Sequence, residues 1–98
     1  NGSYTSPVIT PDKPGKITQS QISWTQTGEQ VTVETRISMD GGATWTNWAT
    51  ATNGAAIPNL FTNIDTSLVR LQYRIILSTS DPDNIPTVSG VVITIQTL

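Results

Sequence analysis

Apolar side chains fall at every second position over most of this chain. In QVTVETRIS (30–38), Val31, Val33 and Ile37 share one face with Thr35 between them; Thr32, Glu34, Arg36 and Ser38 share the other. Successive side chains of a strand point to opposite faces, so this pattern predicts a half-buried strand. RLQYRIILS (70–78) repeats it, with Leu71, Tyr73, Ile75 and Leu77 opposed to Gln72, Arg74, Ile76 and Ser78. SGVVITIQT (89–97) opposes Val91, Ile93 and Ile95 to Val92 and Thr94, and SQISWTQ (20–26) puts Ile22 and Trp24 together. SYTSPVIT (3–10) predicts a short first strand, at an edge or bulged because Pro7 has no N–H for a ladder. TWTNWAT (44–50) is a sixth candidate, but Trp45 and Trp48 stand three apart. That spacing breaks alternation and predicts a bulge or bend.

Turn signals separate these runs: PDKPG (11–15), TGE (27–29), DGG (40–42), TNG (52–54) and DPDNIP (81–86). No segment carries helical periodicity with caps. The least regular stretch, 57–70, predicts a long crossover with a short helical turn near Ser67. Short strands with turns at such intervals predict an all-β, antiparallel β-sandwich or barrel. The long 50–70 connection favours a sandwich of jelly-roll or other Greek-key topology over a meander.

Composition narrows the picture. The 98 residues make a single domain spanning 1–98, large enough for one modest core. Without cysteine there is neither a disulfide framework nor a thiolate metal site. Charged residues are only 12% of the chain, against about 25% in an average soluble domain. The basic residues Lys13, Lys16, Arg36, Arg70 and Arg74 are too few to neutralise a nucleic-acid backbone, so no nucleic-acid partner is expected. No apolar run approaches the ~18–20 residues of a membrane span, so no membrane insertion is expected. The chain opens at Asn1 without a leader-like segment and is read as a module cut from a longer protein, with neighbouring domains as partners. Polarity comes mainly from Thr, Ser, Asn and Gln, a composition associated with extracellular β proteins.

The run SMDGGATW (38–45) reads first as a hairpin turn. Asp-Gly supplies the positive φ angles of a tight turn, Asp40 can accept from the amides that follow it, and Trp45 can fold over the corner. Ser38, Asp40, Gly42, Thr44 and Trp45 resemble the Asp-box, Ser-x-Asp-x-Gly-x-Thr-Trp, at every defined position. Asp-boxes occur in bacterial sialidase propellers and as lone hairpins in unrelated β folds, as a fold element remote from catalysis. The resemblance therefore implies a structural turn. A sialidase would need several repeats and an arginine triad in a much longer chain.

A wider likeness covers most of the sequence. The order YTSPVIT, QISWT, VTVETRISMDGGATWTNW, LVRLQYRIIL and VSGVVITI is similar to the galactose-binding-like, discoidin-related jelly rolls. Such modules sit in bacterial surface proteins, carbohydrate-active enzymes and phage tail or fibre proteins. The resemblance implies a jelly-roll (galactose-binding-like) sandwich, located outside the cell, at its surface or on a virion. The chain is shorter than a discoidin domain, which has more residues in its N-terminal loops.

Candidate chemistry is sparse. Without histidine or cysteine, the commonest general base and the thiol nucleophile are missing, and no enzyme activity is expected. Asp81, Asp83 and Asn84 form an oxygen-rich cluster that is a candidate for structural calcium; the plainer alternative is a solvated proline turn. No other cofactor is implied. Sugar-binding modules stack an aromatic ring on a pyranose and bracket it with charged groups. By strand face, Trp24 and Tyr73 belong to the core and Trp45 to the turn, which leaves Trp48 as the partly exposed ring. Glu34, Arg36 and Arg74 occupy polar faces and are expected beside it as a carbohydrate-binding patch; the alternative is a cross-strand ion pair with Glu34. Ile76 and Val92 are apolar on otherwise polar faces, as a homo-oligomer contact would need. The expected role is a non-catalytic binding or adhesion module for cell-surface glycan. Its rival is a structural or oligomerising spacer without ligand.

Overall fold

The structure, a computed structural model, describes residues 2–11, 15–27, 31–77 and 87–97. Among them the strands are β1 (Gly2–Thr5), β2 (Ile17–Thr27), β3 (Val31–Ser38), β4 (Ala49–Thr50), β5 (Arg70–Leu77) and β6 (Thr87–Thr97), with one 3₁₀ turn at Thr66–Leu68. The first sheet has the order β1-β5-β3-β4 and the second is the pair β2-β6, with every pairing antiparallel. No helix among the described residues is long and apolar enough to cross a membrane.

The alternation read from the sequence sets the core. Ile17, Ile22 and Trp24 of β2 meet Val33 and Ile37 of β3 and Leu71 of β5. Ala51, Ile57, Leu60 and Val69, from the connection between β4 and β5, complete the buried cluster. That connection does more than cross over. It runs along the free edge of β2, where the Ile22 amide donates to the Ala55 carbonyl (3.0 Å), the Gly54 amide to Ile22 (2.8 Å) and the Asn63 amide to Ile17 (2.8 Å). Asn53 clamps Trp24 from both sides: its side-chain amide donates to the Trp24 carbonyl and its oxygen accepts from the Trp24 amide. A loop thus satisfies edge groups that a neighbouring strand would otherwise have to meet. The expected helical turn lies at Thr66–Leu68, capped by the Asp65 carboxylate, which accepts from the Ser67 amide and is held below its ordinary range by that bond.

Proline acts on β1 as expected of it. β1 is the outer strand of its sheet and ends at Thr5. Pairing with β5 continues through Ser6 and Tyr73 but resumes, past Pro7 and Val8, only at Ile9 with Leu71, one residue out of step. The sixth strand is shorter than the sequence predicts: only Ala49 and Thr50 pair, with Thr35 and Glu34. Trp45 to Trp48 lie outside it. The Thr46 amide donates to the Ile37 carbonyl and its hydroxyl accepts from the Ile37 amide, one residue off the register of Thr35 with Ala49. The extra residue is a bulge, and it has a consequence. In an unbroken strand Trp45 and Trp48 would face opposite ways; here both reach the Arg36 side chain.

Candidate functional site

The outer face of the first sheet carries polar residues from its two central strands. Glu34 lies directly across from Arg74, and Arg36 across from Gln72. Arg74 Nε donates to Glu34 Oε1 at 2.5 Å, with the arginine and glutamate side chains 33% and 17% exposed. Arg36 spends its donors differently. Its Nε and Nη2 both donate to Gln72 Oε1, Nε at 2.9 Å, while the Gln72 amide donates to the Ser6 carbonyl at 2.9 Å. Gln72 therefore links β3, through β5, to the end of β1.

The tryptophans close over this row. The Arg36 guanidinium carbon lies 4.6 Å from the centre of the Trp45 ring and 4.9 Å from that of Trp48; the Arg74 carbon lies 4.4 Å from Trp48. Trp45, Arg36, Trp48 and Arg74 thus form a run of ring and cation contacts, both rings half-buried. A planar cation over an aromatic face is attracted by the ring quadrupole, and arginine suits this better than lysine because its guanidinium is itself flat and weakly hydrated.

The 38–45 turn supplies one end of the run. The Ser38 hydroxyl, fully buried, donates to Asp40 Oδ1 (2.7 Å) and accepts from the amides of Asp40 (3.3 Å) and Gly42 (2.8 Å). Asp40 Oδ1 accepts from the Thr44 amide at 2.8 Å and Oδ2 from the Thr44 hydroxyl. These bonds, led by the Thr44 hydroxyl, lower the Asp40 pKa from 3.8 to about 2. Gly41 and Gly42 take φ of +74° and +99°, angles that side chains other than glycine's adopt at a cost. Trp45 folds back so that its Nε1 donates to the Gly42 carbonyl at 3.2 Å. The Gly41 amide donates to Leu68, tying the turn to the 3₁₀ segment.

Four residues expected to share a patch, Glu34, Arg36, Trp48 and Arg74, are brought together. Trp45, expected only at the turn, joins them. Gln72 and Ser6 were missed. Gln72 had a legible signal, since it sits two positions before Arg74 on the same face, but an amide on a strand face is too common to stand out. Ser6 acts through its backbone carbonyl, which leaves no trace in side-chain chemistry. Trp24 is buried as expected, whereas Tyr73 is only half-buried and leans on the exposed Tyr4, ring centres 6.2 Å apart. Its hydroxyl pKa is raised, chiefly by burial. The calcium candidates Asp81, Asp83 and Asn84 lie outside the described residues. The described carboxylates Glu34, Asp40 and Asp65 all hold hydrogen bonds within the fold.

Comparison with family models, with curated proteins and with solved structures finds no match to this chain.

Proposed function

We propose that the chain is a non-catalytic binding module of a bacterial extracellular or phage tail-associated protein, and that the face built from Glu34, Arg36, Trp48 and Arg74 recognises cell-surface carbohydrate. One observation carries the reading. Residues up to forty positions apart meet as one patch whose side chains are fixed by contacts with each other. A patch already ordered loses little side-chain entropy when a ligand arrives. Its two guanidinium groups favour glycans bearing carboxylate or phosphate.

For the finer topology we propose the galactose-binding-like jelly roll. What supports it is that the chain changes sheet between β1 and β2, between β2 and β3 and between β5 and β6, so that the last strand pairs with the second. A specific observation also favours the rival reading, a structural or oligomerising spacer: each arginine already has a partner, Glu34 or Gln72, and both have a ring, so the ladder is complete without ligand.

A glycan array covering neutral and acidic sugars, followed by titration watched through tryptophan fluorescence, separates the two. Binding that is lost in Trp48→Ala, with the far-ultraviolet circular dichroism unchanged, supports recognition. Silence across both classes of glycan supports the spacer and sinks the binding module.

A further inference from the structure

Between the buried Ala51 and Ile57, the loop along β2 passes through Thr52, Asn53, Gly54 and Ala56, all exposed. A short set of polar bonds holds this stretch to the strand. The Gly54 amide donates to the Ile22 carbonyl (2.8 Å), the Ala55 carbonyl accepts from the Ile22 amide (3.0 Å), Asn53 holds both backbone groups of Trp24, and the Gln21 side-chain amide donates to the Gly54 carbonyl (3.0 Å). A segment that buries little between two buried anchors opens at small cost and without exposing the core. Its sequence is also a reactive one. Asn53 is followed by Gly54, which has no side chain to shield its amide nitrogen. The other Asn-Gly pair begins at Asn1, outside the described residues. Asn47, Asn59, Asn63 and Asn84 precede Trp, Leu or Ile, whose bulk crowds the same nitrogen.

We propose that Asn53–Gly54 is a deamidation site gated by the fold: protected while the loop lies on β2, reactive when the loop lifts, and unable to re-form the same clamp once it has reacted. In the reaction the Gly54 amide nitrogen gives up its proton and attacks Asn53 Cγ. The new C–N bond replaces the bond from Cγ to Nδ2, and ammonia leaves, taking from solvent a proton in place of the one Gly54 released. Water then opens the cyclic imide at either carbonyl. One opening gives aspartate; the other gives isoaspartate, in which the main chain runs through the former side chain. No reactant beyond water is needed.

Two features of the closed loop oppose the first step. The Gly54 proton is engaged by the Ile22 carbonyl, and the Asn53 carboxamide is held on Trp24 through both its oxygen and its nitrogen. Both must let go before Cγ and the Gly54 nitrogen can meet. Either product undoes the clamp. Aspartate can accept from the Trp24 amide but has no proton for the Trp24 carbonyl, which Nδ2 meets at 2.7 Å. Isoaspartate adds a main-chain atom between the Trp24 and Ile22 bonds, so the two cannot keep their present spacing. The edge groups of Ile22 and Trp24 are then left to water or to another strand. A reaction that needs an open loop thus leaves the loop open.

The test incubates the full chain at mildly alkaline pH, in native buffer and in denaturing urea, and follows conversion by peptide-mapping mass spectrometry, which separates Asn53 from Asn1. Asn53 is expected to convert at least about tenfold more slowly in native buffer, a factor set by the rarity of the open loop. Gln21 is exposed and touches neither reacting group. Gln21→Ala is expected to speed native conversion about two- to tenfold, and to speed exchange of the Gly54 amide by a similar factor with the β3 amides unchanged. Converted protein, separated by its added charge, is expected to lose protection at the Ile22 and Trp24 amides, as Asn53→Asp does at Trp24. Equal Asn53 rates in native buffer and urea, no conversion in urea, native conversion unchanged in Gln21→Ala, or converted protein that keeps its Trp24 protection would each overturn the proposal.

Discussion

The guanidinium of Arg36 lies over the ring of Trp45, 4.6 Å from carbon to ring centre, and so ties the 38–45 turn to the outer face of the first sheet. The same group reaches Trp48 and bonds Gln72, so one side chain holds together the turn, the bulge after it and two strands. Replacing it with lysine keeps the charge but removes the flat surface and the fork. Arg36→Lys is expected to lower unfolding free energy by about 1–2 kcal/mol, the range of one to two partly desolvated cation–ring contacts. Urea denaturation measures the loss, and tryptophan emission shifting to longer wavelength places it at Trp45 and Trp48.

The Ser38 hydroxyl is a hub with no exposure: it accepts from two amides and donates to Asp40. Ser38→Ala removes the acceptor of two part-buried amides and is expected to cost about 1–2 kcal/mol. Faster exchange of the Gly42 amide with the β3 amides unchanged would locate the effect; unchanged exchange at Gly42 would contradict it.

Asp40 also gives the turn a pH dependence of known sign. Its folded pKa is depressed to about 2 from 3.8. A carboxylate depressed on folding stabilises the fold above its unfolded pKa, and that contribution fades as pH falls from 3.8 through about 2. Asp65 is lowered in the same direction, so the difference between native protein and Asp40→Asn isolates the term. The acid-side slope of stability is expected to be shallower in Asp40→Asn, measured by thermal unfolding at successive pH values. Parallel slopes would show that the turn carries no such linkage.

Thr35 is fully buried in β3 and its hydroxyl has no hydrogen-bond partner among the described residues. Valine has the same shape with a methyl in place of the hydroxyl. Thr35→Val is expected to raise stability by about 1 kcal/mol by removing a desolvated polar group. The urea midpoint should rise at unchanged slope; a fall would mean the hydroxyl is satisfied in solution.

Asn53 stands in for a strand beside Trp24, donating and accepting at 2.7 and 3.0 Å. A carboxylate of the same size accepts but cannot donate. Asn53→Asp is therefore expected to cost about 1–2 kcal/mol and Asn53→Ala a similar amount, with loss of protection at the Trp24 amide by hydrogen exchange.

By itself the sequence determined five of the six strands and most of their faces. Side chains alternate along an extended backbone, so the apolar members of 31–37, 71–77 and 91–95 announced which side turns inward, and Pro7 and Asp40-Gly41-Gly42 announced where pairing would bend. It also placed Glu34, Arg36 and Arg74 on polar faces. What only the tertiary structure decided was pairing across distance. That Arg36 meets Gln72 while Arg74 meets Glu34 depends on the register of β3 against β5, which local patterning leaves free. That Trp45 joins Trp48 depends on a one-residue bulge, whose effect is visible only once Thr46 is seen to bond Ile37. That Tyr73 is half-exposed depends on sheet width: alternation says which face a residue takes, whereas the strands opposite decide whether anything covers it.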